Sequence, residues 1–299
     1  MFSFTKEQKI FEISGVKIGG QPGIFPTVLF GGLFFKGEPN FISGENQIKR
    51  MLDLSKKVGN PAIPDFFIRK QEYIKKIIKF IDKKYPKNQP FSIDIIEPDL
   101  KIKTLEALDE KNLLSRLIYN SIHIGITDEE RDALKIYTPE MAIIVAFNPK
   151  DKSPDGKIEV LYNGANLTDF GLLDIAKKVG IKKILVDTAA MAPGDYSGAA
   201  VAAIPVIKEE LGFPTGCAIH NVVEKSKWLD DFKYARKQVD ASSNVNIALF
   251  GGDFAIFGPI HNSDIVFPII AWQDILISEY VENYFGISPD ETHPRRKLF

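Results

Sequence analysis

The stretch AIPDFFIRKQEYIKKIIKFIDKKYPKNQPFSIDII, residues 62–96, decides the fold class of this chain. Its two ends, residues 62–67 and 91–96, are short apolar runs of the length expected for buried strands. Between them, one helical face carries Tyr73, Ile74, Ile77, Ile78 and Ile81. A strand, an amphipathic helix and a second strand in this order are typical of a parallel β/α/β unit.

The same alternation continues along nearly the whole chain of 299 residues. Apolar runs predict eight strands at residues 27–34, 62–67, 91–96, 117–122, 141–147, 183–188, 215–219 and 254–257. Segments of helical period predict helices near residues 48–58, 73–81, 172–179, 199–211, 228–239 and 269–285, and another after the capping box at 127–130. Eight consecutive β/α units favour a (β/α)8 TIM barrel of the α/β class, formed as one domain by residues 1–299.

An open, doubly wound sheet is the alternative architecture for such a pattern. Sheets of that kind carry a Gly-rich dinucleotide fingerprint directly after the first strand. The pair Gly31-Gly32 lies at that place and does not match the fingerprint. The closed barrel is therefore the preferred prediction.

Two segments lie outside the repeating units. Residues 9–13 and 16–18 flank the turn Ser14-Gly15, which predicts an N-terminal hairpin that we expect to plug the bottom of the barrel. After the fifth predicted strand, residues 148–165 form an insertion, in which residues 157–164 predict a second hairpin.

Composition excludes several classes of function. The 38 basic and 39 acidic residues are mixed along the chain, so no footprint for a phosphate backbone is visible and no nucleic acid partner is expected. The single Cys217 excludes an internal disulfide and a cysteine-rich metal site, and it fits a cytoplasmic protein. The first residues carry charges where a signal peptide needs an apolar stretch, and no run approaches ~18 apolar residues, so neither a signal peptide nor a membrane span is expected. We expect contact with a membrane only through partner subunits.

Polar residues follow or interrupt six consecutive predicted strands, at the end where a β/α barrel places its active site. Each one alone is explained equally well as a helix cap or turn residue. Carboxylates within apolar runs nevertheless need a partner, and carboxylates with amides suit the donors and acceptors of a pterin ring. These residues are Asp65, Asp94, Asn120, Asn148, Asp187 and the pair His220-Asn221.

Ordered short segments give the chain a resemblance to a known family. The sequence resembles the H subunit of tetrahydromethanopterin S-methyltransferase and its stand-alone relatives, the methyl-tetrahydropterin:corrinoid methyltransferases. The segments are KIGGQPG at 17–23, GNPA at 59–62, YNSI at 119–122, DT at 187–188, GC at 216–217 with HN at 220–221, GGDF at 251–254 and GPI at 258–260.

The resemblance implies a pterin-binding barrel and a set of roles. Asp94, Asn120 and Asp187 would hold the pterin ring, and Asn221 would lie close to the methyl-bearing nitrogen, with Asn221 and Asp94 as the catalytic residues. Asp65, Ser121 and Asn148 would be their neighbours. The methyl carrier implied is tetrahydromethanopterin or tetrahydrofolate, and the acceptor is a corrinoid (cobalamin) carried by a partner protein. A homodimer is also implied.

The expected chemistry needs no Ser or Cys nucleophile, because Co(I) of the corrinoid attacks the methyl group on N5. Two alternatives remain: a non-catalytic subunit that binds pterin or the corrinoid protein, and a synthase of the dihydropteroate type. The second would need a phosphate cradle, and no Gly-rich one follows the last two strands. The four histidines have no ligand spacing, so no protein-bound metal is expected.

Overall fold

Eight parallel strands form a closed barrel behind an N-terminal hairpin. The computed structural model describes residues 2–35 and 37–299. The hairpin strands β1 (Ile10–Ile13) and β2 (Val16–Gly19) pair antiparallel. The barrel strands are β3 (Val28–Leu33), β4 (Ala62–Phe67), β5 (Phe91–Asp94), β6 (Leu117–Ile122), β7 (Met141–Val145), β8 (Lys183–Asp187), β9 (Thr215–Cys217) and β10 (Phe254–Pro259). They follow one another in chain order around the barrel, and β10 closes it against β3. The predicted fold class is confirmed.

Helices surround the barrel and connect its strands. They are α1 (Phe41–Val58), α2 (Gln71–Lys84), α3 (Pro98–Asp109), α4 (Asp128–Ile136), α5 (Pro154–Asn163), α6 (Leu172–Lys178), α7 (Ser197–Leu211), α8 (His220–Glu224), α9 (Arg236–Leu249), α10 (Ser263–Phe285) and α11 (Pro294–Leu298). The predicted capping box is present, because the Thr127 side chain accepts a hydrogen bond from the Glu130 amide at the start of α4. No helix in the described part of the chain is long and apolar enough to span a membrane.

The predicted second hairpin, residues 157–164, is wrong. This segment belongs to helix α5, whose N-cap Ser153 accepts a hydrogen bond from the Gly156 amide and whose C-cap Gly164 is left-handed. Lys157, Val160 and Leu161 are the buried residues near its middle, a spacing of three and four that belongs to a helix. The apparent alternation of residues 157–162 was therefore misleading.

The predicted helix at residues 228–239 is also displaced. A short 3-10 helix occupies Lys227–Phe232, and the α-helix that follows begins at Arg236 and runs to Leu249. The two pieces are separated because Arg236 donates hydrogen bonds to the backbone oxygens of Val223 and Ser226, and so holds the start of α9 against the end of α8.

The hairpin closes one end of the barrel, as predicted. Its Ile13, Val16 and Ile18 are buried in the same apolar cluster as the interior side chains of the strands. A buried Lys208 of α7 fastens it from outside by donating to the Gly20 carbonyl and to Asp253 at the start of β10. The strand residues of the cluster are Val28, Phe30, Ile63, Ile118, Met141, Ile143, Leu185 and Phe254.

Candidate active site at the barrel mouth

A polar layer lies above this apolar interior, at the carboxyl ends of the strands. Asp94 at the end of β5 is in register with Asn120 of β6, and Asp65 of β4 is in register with Ser92 of β5. The Asn120 amide donates a hydrogen bond to Oδ2 of Asp65 at 3.2 Å, across the intervening strand β5. Such a bond requires both side chains to point into the barrel. The structure therefore brings Asp65, Asp94 and Asn120 together.

Asp94 has the most strongly altered acidity of this layer. Burial, followed by the negative charge of Asp65, raises the pKa of Asp94 to about 8, while the more distant Lys101 opposes the change. The negative charge of Asp187 raises this pKa further, so Asp187 of β8 belongs to the same electrostatic cluster. Among the described residues, none donates a hydrogen bond to the Asp94 carboxylate. Asp94 is thus an acceptor available to a ligand.

The other two carboxylates are more deeply buried. Asp65 is 4 % and Asp187 is 7 % exposed, and burial raises the pKa of each to about 6. At Asp65 the neighbouring Ser92 and, after it, the hydrogen bond from Asn120 counteract this change. At Asp187 the Ala189 amide does the same, donating to Oδ1 at 2.8 Å. These donors hold each carboxylate in place, and each retains further lone pairs for a ligand.

A buried ion pair supports the layer from outside the barrel. Lys101 of α3 donates to the carboxylate of Glu130 at 3.0 Å and to the carbonyl oxygen of Ser121 at 2.8 Å. The Tyr119 hydroxyl donates to the same Glu130 oxygen at 2.6 Å. This network fixes the end of β6, where Asn120 lies. Lys101 was not among the predicted residues. Its position on the buried face of α3, together with Thr104, Leu105 and Leu108, could have indicated a buried lysine with an anionic partner.

Two predicted neighbours of the ring have other surroundings. Ser121 is partly exposed, and its backbone carbonyl is the group held by Lys101. Asn148 is only 1 % exposed, and its side chain bonds the backbone of its own loop. It accepts from the amides of Lys150 and Asp151 and donates to the carbonyl of Gly156. The described hydrogen bonds of Asn148 therefore lie within the entry to α5, and we leave this residue out of the binding set proposed below.

An open groove of about 1110 Å³ lies beside the polar layer, on the side of β3, β4 and β10. Asn221 lines it, whereas Asp65, Asp94, Asn120 and Asp187 do not. The side-chain amide of Asn221 is exposed and makes no hydrogen bond to any described residue. The groove also has a cationic lining: Arg69, Lys70, Arg236 and Lys237. The predicted set is thus divided between a buried layer and an adjoining groove.

The comparisons with known proteins identify the family. The family model of the tetrahydromethanopterin S-methyltransferase MtrH subunit matches residues 6–289. The chain belongs to the MtrH family. The H subunit of tetrahydromethanopterin S-methyltransferase from Methanothermobacter thermautotrophicus is 37 % identical over 313 residues, and that from Methanocaldococcus jannaschii is 33 % identical over 321 residues. In both cases the match covers 100 % of this chain and 100 % of the relative.

A further relative of this MtrH family member is the H subunit of a putative mtx methyltransferase from Methanosarcina barkeri, 36 % identical over 312 residues and fully covered. Solved structures of similar fold include dihydropteroate synthases. One from Coxiella burnetii, in complex with pteroic acid, has a TM-score of 0.60 at 14 % identity and covers 89 % of this chain and 98 % of that one. One from Yersinia pestis, in a sulfonamide complex, has a TM-score of 0.62 at 11 % identity and covers 88 % and 97 %. At such identities the likeness supports the barrel fold alone.

Proposed function

We propose that this MtrH family member transfers a methyl group from N5 of a methyl-tetrahydropterin to the cobalt of a corrinoid carried by a partner protein. The observation that carries the proposal is the polar layer of Asp65, Asp94, Asn120 and Asp187 above an apolar barrel interior. Buried carboxylates without cationic partners are unfavourable unless a ligand compensates them. The layer therefore has the chemistry of a site for a polar ring.

The hydrogen-bond donors and acceptors of a pterin ring match the side chains of the polar layer. A pterin ring presents an amino group and ring N–H groups as donors, together with a carbonyl oxygen and ring nitrogens as acceptors. Asp94 and Asp187 would accept from the donors, and the Asn120 amide would bond the ring edge. Asp65, whose Oδ1 is buried without a hydrogen-bond partner among the described residues, would be a neighbour of the ring. Each such bond would be stronger than usual because the carboxylates are buried.

Asn221 would act at the reacting nitrogen. When the methyl group is transferred, N5 becomes an amine anion, which is a poor leaving group unless the nitrogen is hydrogen-bonded or protonated. The side-chain amide of Asn221, in the groove beside the polar layer, would donate a hydrogen bond to N5 as the lone pair develops on that nitrogen. The methyl acceptor is the second substrate, and its Co(I) supplies the electron pair that forms the new bond. Positioning and hydrogen-bond donation of this kind typically contribute ~10²-fold to 10³-fold to a rate.

For the carrier we propose tetrahydromethanopterin, with tetrahydrofolate as the competitor. The support is the name of the matching family and of its relatives in methanogens. The same names describe a subunit, so we propose that the corrinoid is bound by a partner subunit and that the chain works as a homodimer. Light scattering of the purified protein tests the homodimer directly.

The test of the reaction is anaerobic stopped-flow absorbance with free cob(I)alamin and either methyl-tetrahydromethanopterin or methyl-tetrahydrofolate. We expect conversion to methyl-Co(III) with the first carrier. Absence of conversion with both carriers, together with pterin binding in calorimetry, would instead support a subunit that binds pterin without turning it over. Absence of pterin binding would contradict the proposal.

Two substitutions assign the roles within this test. Asp187→Ala should mainly weaken pterin binding, because it removes a ring acceptor. Asn221→Ala should mainly slow methyl transfer, because it removes a donor that is needed as charge develops on N5. If neither change alters affinity or rate, the proposed site is wrong.

A further inference from the structure

His220 is a titratable group immediately beside Asn221 in the groove. It begins helix α8, lines the groove, and its side chain is 14 % exposed. The ring nitrogen Nδ1 lies 2.8 Å from Oδ2 of Asp240. One ring nitrogen is therefore engaged with a carboxylate, and Nε2 is the other position for a transferable proton.

Asp240 is held where it can orient this histidine. It lies on α9 and is 3 % exposed. The amide of Asn262 donates to the same Oδ2 at 3.4 Å, while Oδ1 has no hydrogen-bond partner in the part of the chain described. A buried carboxylate that accepts a hydrogen bond from a ring N–H fixes the tautomer and the orientation of the imidazole. This is the usual arrangement around a histidine that exchanges a proton.

The backbone of β10 is also shaped around the ring. Gly258 adopts a φ of +86°, and a Cβ atom at this position would overlap the ring carbons and Nδ1 of His220. Glycine is therefore required for two reasons, conformation and close approach. The ring lies between this glycine and Asp240, with its orientation restricted from both sides.

Other charged and titratable groups of the groove come from several elements, and those on the far side from His220 are Glu38, Arg69, Lys70 and Tyr73. Glu224 lies on the same helix as His220, while Arg236 and Lys237 begin α9. His261 follows β10 in the short turn that contains Asn262. Within the groove, Asp240 is the group bonded to the His220 ring.

We propose that His220 supplies the proton to N5 in the methyl transfer, positioned by Asp240, Asn262 and Gly258. This role rests on the proposed function. An Asn221 amide can donate a hydrogen bond but cannot give up a proton, whereas the product pterin carries a new N5–H bond. The adjoining His220 is a titratable group that reaches the same groove.

Atoms and electrons balance in this step. The N5–CH₃ bond breaks and leaves its electron pair on N5, while the methyl carbon becomes bonded to the acceptor's cobalt, which goes from Co(I) to Co(III). The proton on Nε2 of the imidazolium moves to N5, directly or through one water. The imidazole left neutral takes a proton from solvent through the open groove. In the reverse direction the neutral imidazole accepts the proton from N5.

The experiment is single-turnover methyl transfer from methyl-tetrahydromethanopterin to free cob(I)alamin by wild type, His220→Gln and Asp240→Asn. Pterin affinity is measured for each by calorimetry. We expect His220→Gln to slow transfer ~10²-fold with affinity within about twofold, as for loss of a general acid. Asp240→Asn should slow it roughly 10-fold to 100-fold, as for loss of an orienting group. Added imidazole should restore part of the rate of His220→Gly.

The matched control is His123→Gln, at a rim histidine outside the groove whose ring accepts a hydrogen bond from the Gly125 amide. It should transfer methyl groups at the wild-type rate. A His220→Gln rate within about threefold of wild type would overturn the proposal, because loss of a general acid slows a reaction far more than this. Asp94 would then remain as the proton source. Equal losses of affinity and rate without rescue by imidazole would show a structural role and overturn it as well. Absence of transfer by wild type would overturn the proposed function and this role with it.

Discussion

Asp94 shows how ligand binding and stability oppose each other at a single residue. Its carboxyl is partly buried beside two further carboxylates, and this raises its pKa from 3.8 to about 8. Between these two pH values the unfolded chain ionises Asp94 while the folded chain keeps the proton. The free energy of unfolding therefore falls as pH rises from 3.8 to about 8, and the loss is complete above that pH.

Replacing Asp94 with Asn should stabilise the protein and impair its proposed function. The amide keeps the shape and has no charge, so we expect the free energy of unfolding to increase by roughly 2 kcal/mol at about pH 8 and to match wild type at about pH 4. Pterin affinity should fall at least about tenfold, because an acceptor becomes partly a donor. Urea unfolding at both pH values and calorimetry measure the two effects. A gain of equal size at the lower pH would contradict the electrostatic explanation.

An exposed carboxylate provides the control for this substitution. Asp132 on α4 is solvent-exposed and pairs with Lys135 one turn along the helix. Asp132→Asn should change the stability by less than about 0.5 kcal/mol at either pH. A pH-dependent gain in Asp132→Asn would mean that net charge, rather than burial at the barrel mouth, governs the effect.

At the scale of secondary-structure elements, periodicity predicted the barrel well and local contacts explain where it failed. Strands such as β3 and β7 are continuous apolar runs because helices cover them, and the strand-end rule then placed Asp65, Asp94 and Asp187 at one rim. Residues 157–164 were misread because Lys157 is a charged residue on the buried face of α5. Its polarity hid the helical period.

The site was predictable only to the extent that strand position determines it. His220 pairs with Asp240, a residue 20 positions away on a different helix, and no local sequence pattern predicts this contact. The same holds for Lys101 and Glu130, 29 positions apart. Asn148 illustrates the reverse case, in which the strand position predicts a ring contact and the structure offers a local role instead. A strand-end amide can equally bond its own loop, and only the three backbone contacts decide between the two roles.

Asn148 should accordingly behave as a structural residue of α5. Asn148→Ala would leave the amides of Lys150 and Asp151 and the carbonyl of Gly156 without their buried partner. We expect a loss of about 1–3 kcal/mol in the free energy of unfolding, with pterin affinity unchanged within about twofold. Thermal unfolding and calorimetry measure these quantities. A large loss of affinity at unchanged stability would instead return Asn148 to the binding set.

At the scale of the whole molecule, the two ends of the barrel use buried polar groups differently. At the mouth, no described cation forms a salt bridge with the carboxylates, and only Lys101 and Lys157 act on Asp94 and Asp187 at longer range, so that the carboxylates fit a ligand. At the opposite end, the buried charges of Lys208 and Asp253 are matched within the protein: Lys208 bonds Asp253 and the Gly20 carbonyl, and the Thr215 amide donates to Asp253. Asp253 therefore belongs to the structural end.

Substitutions in the ion pair at the closed end of the barrel should change the free energy of unfolding and leave the methyl-transfer reaction unaffected. Asp253→Asn places an amide donor, in place of a carboxylate, against the buried ammonium of Lys208. Loss of one partner of a buried ion pair typically costs about 3–5 kcal/mol, and we expect this loss in urea unfolding. Pterin affinity and the methyl-transfer rate of the folded fraction should remain at wild-type values, because the pair lies below the apolar layer of Phe30 and Phe254. The double variant Lys208→Met/Asp253→Asn removes the uncompensated charge and should regain more than half of the lost stability. A double variant as unstable as Asp253→Asn would contradict this explanation. It would show that the bond from Lys208 to the Gly20 carbonyl beside the hairpin, and not the ion pair, provides the stability.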